Sequence, residues 1–435
     1  MKMRRKMLTI ALTALCTGMF AQEPANGTAG TLSLSLVEAQ EYAVANNKSL
    51  QNASLEVKKA YAQRWQTIAA MLPQVDGTAQ FTTMFDYQMD MKGMKIAMPA
   101  NITHTVTASI GLNGQAIMGA LLNNLAIEMQ DITRAQSESE IRANVMSSYL
   151  TVLVMEDIVA LLDSSLTNIE RLAAMTQRSV DVGAAEQTAA DQIVVKANAL
   201  KNSINSNKRN VELARNSLKV LLGVGVDTDL RLTQTLDELL SASSALDLLS
   251  QNFDINNNYN YQLLVKNTEL AKKNVTMAGL AYTPTVSAYY QYTAKKYFSD
   301  ESTLNMSAPH MAGVSVSIPI WSSGKRAAGV REKKIAYQEA VNTLNETTDN
   351  LGIQNQQLRF NLSNAYETYM NERDNIEVTK RVFRNTTNKF EHGVASSLEL
   401  TNASNDLISA QSSYVQAVMS LVNAQVELAK FLNNN

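Results

Sequence analysis

Helix breakers are scarce in this chain and unevenly placed. It has six prolines and 17 glycines in 435 residues. Beyond Pro24 the prolines fall in two windows, Pro73 with Pro99 and Pro284 with Pro309 and Pro319. Neither Gly nor Pro interrupts residues 120–182. At ~1.5 Å rise per residue that run predicts a helix on the order of 95 Å long. Helices of globular domains average ~11–12 residues, so a compact globular core does not accommodate it.

Cysteine is nearly absent too. The single Cys16 lies in a stretch with the marks of a signal peptide at 1–21: basic Lys2, Arg4, Arg5 and Lys6, a largely apolar run from Met7 to Phe20, and Ala21 before Gln22. Leu15 occupies the position where lipidation of Cys16 would want a small residue. Without the leader no cysteine remains, which excludes disulfides, thiol nucleophiles and thiolate metal sites. The leader holds four of the 38 basic residues, leaving 34 against 40 acidic, a net charge near −6. A nucleic-acid surface needs a basic excess, so none is expected. No unbroken run of 18 apolar residues follows the leader, so no transmembrane helix is expected. An exported chain of this kind is soluble or crosses a membrane as a β-barrel, because only helices and closed barrels satisfy their backbone in lipid.

Catalytic patterns are missing as well. His104, His310 and His392 have no partner at metal-ligand spacing. No GxSxG, Walker-type or GxGxxG pattern sits between a strand and a helix. The chain reads as a non-enzyme without metal or cofactor.

What is present is a duplication. Asn46-Asn47 recurs as Asn257-Asn258 and Pro73 as Pro284, both 211 residues on; Ser109–Leu112 corresponds to Ser317–Ile320 at 208, and Gly183 to Gly393 at 210. Ordered anchors at nearly one spacing mark an internal repeat. The predicted organisation is a first repeat at 32–223 with strands at about 75–90 and 102–113, a connector at 224–245, and a second repeat at 246–432 with strands at about 285–295 and 311–320. Ser35-Leu36-Val37-Glu38 has the form of a capping box, opening a helix expected to run to about Met71 before Pro73 ends it.

The Pro-bearing windows alternate with period two. Phe81, Phe85, Tyr290, Tyr292, Val314 and Val316 fall in the apolar sets; Asp76, Gln80, Asp86, Gln291, Ser315 and Ser317 fall in the polar sets. A half-wet soluble sheet shows the same period, but the helices here are committed to one another. A barrel wall with lipid outside and water inside explains it directly, which makes the first group lipid-facing and the second lumenal. Four strands do not close a barrel, so the chain is expected to oligomerise, a dimer giving eight strands and a trimer twelve.

Leu72-Pro73-Gln74-Val75, the segment Val316 to Lys325 and the Gly183 and Gly393 turns, in this order and spacing over 32–432, resemble TolC-like outer-membrane efflux proteins. The resemblance implies a fold that is mainly α with a membrane β-barrel: a duplicated helix–strand–strand–long helix–helix unit, three copies of which form a 12-stranded outer-membrane barrel and a periplasmic α-helical barrel. It implies a channel exporting substrates in a tripartite efflux or type I secretion system. Its partners would be a periplasmic adaptor (membrane-fusion) protein, an inner-membrane pump and outer-membrane lipid. The adaptor would dock at the helical tips, Gly183 with Ala184 and Gly393 with Val394. The acidic pair lining the archetypal constriction maps onto Glu399 and Asn402, so one of its two acids is an amide here. The archetype's arginine lock maps to Ala395 and its aspartate partner to about Ala189, so that bond cannot form. The competing reading of the residues is a secreted or periplasmic structural coiled-coil protein with a soluble β cap. It is weakened by Val145, Tyr149, Val152, Ile158, Leu161 and Leu162, which spread over a wider arc than strict heptads.

Overall fold

The computed structural model describes residues 31–432 apart from 86, 92, 93, 98, 184, 240, 241 and 299–307. The expected leader with Cys16, the predicted lumen residue Asp86 and the predicted docking residue Ala184 lie outside the described residues. In chain order the elements are β1 (Leu32–Leu34), α1 (Leu36–Asn46), α2 (Lys48–Ala69), β2 (Gln74–Thr82), β3 (Gln88–Met91), β4 (Met94–Ala97), β5 (Asn101–Leu112), α3 (Gly114–Asp181) and α4 (Gln187–Leu222). There follow β6 (Leu230–Leu232), α5 (Leu236–Leu239), α6 (Ala242–Ser250), α7 (Tyr259–Gly279), β7 (Thr285–Tyr297), β8 (His310–Ser317), α8 (Lys325–Glu391) and α9 (Ser397–Leu432).

The long breaker-free runs are single helices. α3 has 68 residues and α8 67, each on the order of 100 Å, while α4 and α9 have 36 each. Asn113 caps α3 by accepting the Ala116 amide at 2.7 Å. Both long helices end in the same turn, at Gly183 with φ 73° and Gly393 with φ 71°, where only glycine enters without strain.

Ser35 and Glu38 form the expected capping box. The helix they open does not reach Met71 unbroken. It breaks at Asn47 (ψ 128°), whose side chain caps α2 by accepting the Ser49 amide at 2.8 Å while its amide donates to Leu221 O at 2.8 Å. Asn258 caps α7 in the same way, so the duplicated Asn-Asn anchor marks the start of the helix before each strand pair. α6 at 242–250 precedes that start, and β6 pairs in parallel with β1 inside the stretch expected as a connector.

The first strand ends at Thr82, short of the expected 90. Phe85, at φ 47°, turns the chain, and β3 and β4 form a separate hairpin. β2, β5, β7 and β8 form one antiparallel sheet in that order, leaving β2 and β8 as open edges.

α4 packs on α3, α3 on α9, and α9 on α8. The main core joins Val145, Tyr149 and Val152 of α3 to Leu218 and Leu222 of α4, Leu362 of α8 and Leu421, Val422 and Leu428 of α9. A second core near the tips gathers Ile169, Leu172, Ile193, Ala197, Leu200, Ile204 and Leu400. α3 contains a window apolar enough, by length and composition, to cross a membrane, contrary to expectation; a third of it is buried within the protomer. A helix touching α1, α2, α4, α7 and α9 needs apolar residues on most of its circumference.

Candidate functional site

The sheet register sorts the predicted strand residues into two faces. Cross-strand partners share a face, and alternate residues along a strand return to it. Val75 pairs with Ala108, Ala108 with Tyr290 and Tyr290 with Ala312; two residues on, Gly77, Val106, Tyr292 and His310 pair in turn. Phe81, Tyr290, Tyr292, Val314 and Val316 therefore lie on one face. Asp76, Gln80, Gln291, Ser315 and Ser317 lie on the other, with Thr103, Thr105 and Thr107 between them. Phe85 belongs to neither face. It lies in the turn beyond Thr82, because the alternation in the sequence runs past the residue at which φ turns positive.

The polar face also carries an aromatic that composition did not single out. Tyr289 sits opposite Gly313, and a Cβ on Gly313 would come within 2.8 Å of the Tyr289 ring. The ring covers the glycine across the strand pair, on the polar face of the sheet. The three histidines are accounted for locally. His310 Nδ1 shares a 2.8 Å hydrogen bond with the Tyr290 hydroxyl, His392 Nδ1 lies 2.7 Å from Asn388 O, and His104 pairs between Ala79 and Ala294. Among the described residues no three His, Cys, Asp or Glu side chains are grouped to hold a metal ion.

At the far end the two tips present apolar surface. Val182 is 78 % exposed, Val394 74 % and Leu398 67 %. Val182 and Leu398 extend the surface predicted from Gly183, Gly393 and Val394. Their signal was the spacing, each lying beside a turn glycine or in the first turn after it.

Glu399 sits at the start of α9, in contact with its own helix end. Its Oε2 accepts the Ser396 amide at 2.7 Å and the Ser396 hydroxyl at 3.0 Å, while the Glu399 amide donates back to Ser396 Oγ at 3.2 Å. This is a second capping box of the Ser-x-x-Glu form. The Ser396 amide, then its hydroxyl, then the charge of Lys389 hold the Glu399 carboxyl below the usual carboxylate range. Asn402 is exposed one turn on, and Asp406 and Ser409 continue the same polar stripe down α9. The two predicted gate residues are thus neighbours on one exposed helix face, and one of them also holds its helix start in place. Ala395 and Ala189 stand where the archetypal lock would be and offer no side chain to bridge.

Comparison with known proteins agrees with this geometry. The chain is 22 % identical over 414 residues to the toluene efflux pump outer membrane protein TtgC of Pseudomonas putida, covering 89 % of this chain and 80 % of that protein. It is 24 % identical over 391 residues to the cation efflux system protein CusC of Escherichia coli, covering 85 % and 80 %. The crystal structure of the Campylobacter jejuni CmeC outer membrane channel superposes with a TM-score of 0.74 at 15 % identity, over 92 % of this chain and 85 % of that one. Fold and family are those of outer-membrane channel proteins and not of enzymes. They replace the alternative of a structural coiled-coil protein with a soluble cap. The family model for outer membrane efflux proteins matches residues 40–224 and 256–434, most of both halves, and the chain belongs to that family.

Proposed function

We propose that three copies of this chain close a twelve-stranded barrel in the outer membrane and continue as a helical tube through the periplasm. The assembly forms the exit duct of a tripartite efflux system, with two repeats of the chain per copy at 32–223 and 246–432. Phe81, Tyr290, Tyr292, Val314 and Val316 face lipid; Asp76, Gln80, Gln291, Ser315 and Ser317 face the lumen; and the tips take a periplasmic adaptor that couples the duct to an inner-membrane pump. The similar proteins are named for toluene and for cations, so chains of this kind serve unlike cargoes.

One observation carries the reading. The protomer ends in two matching edges. Ile335, Ile353, Phe360, Val378 and Val382 recur on α8 at spacings that keep them on one narrow stripe, and all are exposed. Val195, Leu213 and Val220 form an equivalent exposed stripe on α4, at the opposite edge of the helix layer. The two stripes align in height. Val195 lies eight residues into α4 and Val382 nine before the end of α8; Val220 lies 33 in and Phe360 31 before the end. Edges that match head to tail, on the sheet and on the helices alike, close into a ring, and exposed apolar stripes of this length call for a partner.

Because the mature chain has no native cysteine, the ring can be tested by introduced pairs. Oxidation of a chain carrying Val195→Cys with Val382→Cys, or Val220→Cys with Phe360→Cys, gives a covalent trimer, and either single variant gives none. Persistent monomer in both double variants would overturn the arrangement. For the faces, Val316→Arg blocks membrane assembly while Ser315→Arg does not, since a charge on the lipid side near the midplane costs ~2–4 kcal/mol per chain.

A further inference from the structure

The four-stranded sheet gives way to long helix at four places: the end of α2, the start of α3, the end of α7 and the start of α8. Charge is uneven there. Within the ten helical residues nearest the sheet, α2 has Arg64, α7 has Lys272 and Lys273, and α3 has no charge at all. α8 has five cations in the same span, Lys325, Arg326, Arg331, Lys333 and Lys334, with Glu332 as the one acid of the whole tier. Eight basic residues against one acid give the tier +7, in a chain whose charge without the leader is near −6.

Few of these cations are answered within the protomer. Lys273 pairs with Glu269 at 2.9 Å and Lys333 with Glu332 at 2.9 Å. Arg326 donates to Pro319 O at 3.1 Å and lies over the Tyr282 ring, 5.1 Å from its centroid. Lys325, Arg331 and Lys334 are exposed and make no ion pair among the described residues. The other edge of the protomer supplies no acid either. In this tier α2 and α8 are joined through α3 and α7, so in the proposed ring α8 faces the next copy's α2, whose last ten residues carry one charge, Arg64.

The segment between β8 and α8 is apolar and uncovered. Ile318 is 62 % exposed, Ile320 90 % and Trp321 85 %. Ile318 and Ile320 continue the alternation of Val314 and Val316, and the positive-φ turn at Ser323 and Gly324 leads directly from them into the basic start of α8.

We propose that the start of α8, with Ile318, Ile320 and Trp321 above it, is a docking surface for anionic phospholipid of the membrane's periplasmic leaflet. The proposal rests on the channel reading above. An aromatic and aliphatic segment followed at once by clustered Lys and Arg suits a lipid–water boundary, where the apolar groups enter the edge of the hydrocarbon and the cations meet phosphate. Lys325 lies at the strand ends and Lys334 about 14 Å further down the helix. The upper cations are thus within a Debye length of the headgroups, and the lower ones feel them more weakly. A soluble anion would answer the charge and leave Ile320 and Trp321 in water; a protein neighbour would need acids that α2 lacks. Three such tiers make a positive collar under the barrel, which fixes its height in the membrane.

Tryptophan fluorescence tests it. Trp65→Phe leaves Trp321 as the only tryptophan of the chain. The variant is reconstituted in phosphatidylcholine vesicles with a minority of phosphatidylglycerol, and one lipid or the other is brominated high on its acyl chains. At equal amounts of brominated lipid, phosphatidylglycerol quenches Trp321 more strongly, by what roughly 5-fold enrichment gives, the share of a single cation facing an anionic surface. Adding Lys325→Gln, Arg331→Gln and Lys334→Gln brings the two lipids to parity while the protein still inserts. Raised salt moves wild-type charge part of the way. Lys201→Gln, far down α4, leaves the preference intact. Equal quenching before the charges are removed, or a preference that survives their removal, would overturn the proposal. So would the absence of quenching by either lipid, which would mean that protein covers Trp321. Failure of the channel reading looks different: the chain then inserts into no vesicle of either kind.

Discussion

The two tips share a backbone and differ in chemistry. Gly183 and Gly393 adopt the same φ within 2°, and each is followed a few residues later by a 36-residue helix. At the second tip the helix start is tied by Ser396 and Glu399 in a reciprocal box. At the first, Glu186 stands at the equivalent place and makes no cap with its side chain, which instead accepts the Thr188 hydroxyl at 3.2 Å. The duplicated unit keeps the geometry of the turn, while the capping of each helix start varies independently. The start of α9 is tied by a side-chain cap; the start of α4 has none.

The hardest test of this comparison is at the turns. Gly183→Val and Gly393→Val force a β-branched residue into left-handed backbone and should each lower the melting point of the trimer by a similar amount, the strain being ~1–2 kcal/mol or more per chain. A loss at one tip only would show that the turns are not equivalent. Bulk beside the turns tests docking: Ala184→Trp and Val394→Trp should abolish export with trimers intact, and normal export from both removes the tips as the adaptor site.

Capping should separate the tips by a smaller margin. Ser396→Ala should release first-turn amides of α9 to hydrogen exchange, with a loss of ~0.5–2 kcal/mol. Glu186→Ser should slow exchange at α4. Equal protection of both wild-type helix starts would end the distinction. Acid should have the same selectivity. The Glu399 carboxyl is held below its ordinary value of ~4.3, so the protection it gives is full above that value and is lost as pH falls through the lowered native one. Below pH ~4 exchange should rise at α9 before it rises at α4.

The smallest effect isolates charge from capping. Glutamine also serves in a capping box, so Glu399→Gln should keep the helix start protected while reducing cation selectivity, if three such carboxylates ring the lumen. Asn402→Asp should raise that selectivity. Unchanged reversal potentials in a salt gradient for both variants would leave Glu399 as a cap alone.

Much of the scaffold could be read from local pattern. The Ser35–Glu38 box, the stop at Pro73, the two glycine turns and the two sheet faces follow from spacings of two to four residues. The box at Ser396–Glu399 has the same form and was equally readable, but its mapping onto a pore constriction drew attention to charge instead. Three features escaped for physical reasons. Asparagine both caps a helix and sits within one, so Asn47 gave no sign of the break. Alternation continues through Thr83, Phe85 and Tyr87 and conceals the turn at which the strand ends. The hydrogen bond from Lys196 Nζ of α4 to Asn405 Oδ1 of α9, 2.9 Å, joins residues 209 apart, and no local pattern couples them; only the docking of one hairpin on the other does.

The open edges of the sheet have a consequence for inheritance of defects. In a ring of three proposed above, every copy offers β2 to one neighbour and β8 to the other, and any incomplete species leaves unpaired backbone facing lipid. Partial rings therefore have no useful existence, and one copy with a spoiled edge disables two sound ones. When a defective and a normal allele are expressed equally and mix at random, about one ring in eight is wholly normal under the threefold arrangement. A lesion at either edge should accordingly behave as dominant, and a lesion that prevents export of the chain to the periplasm as recessive.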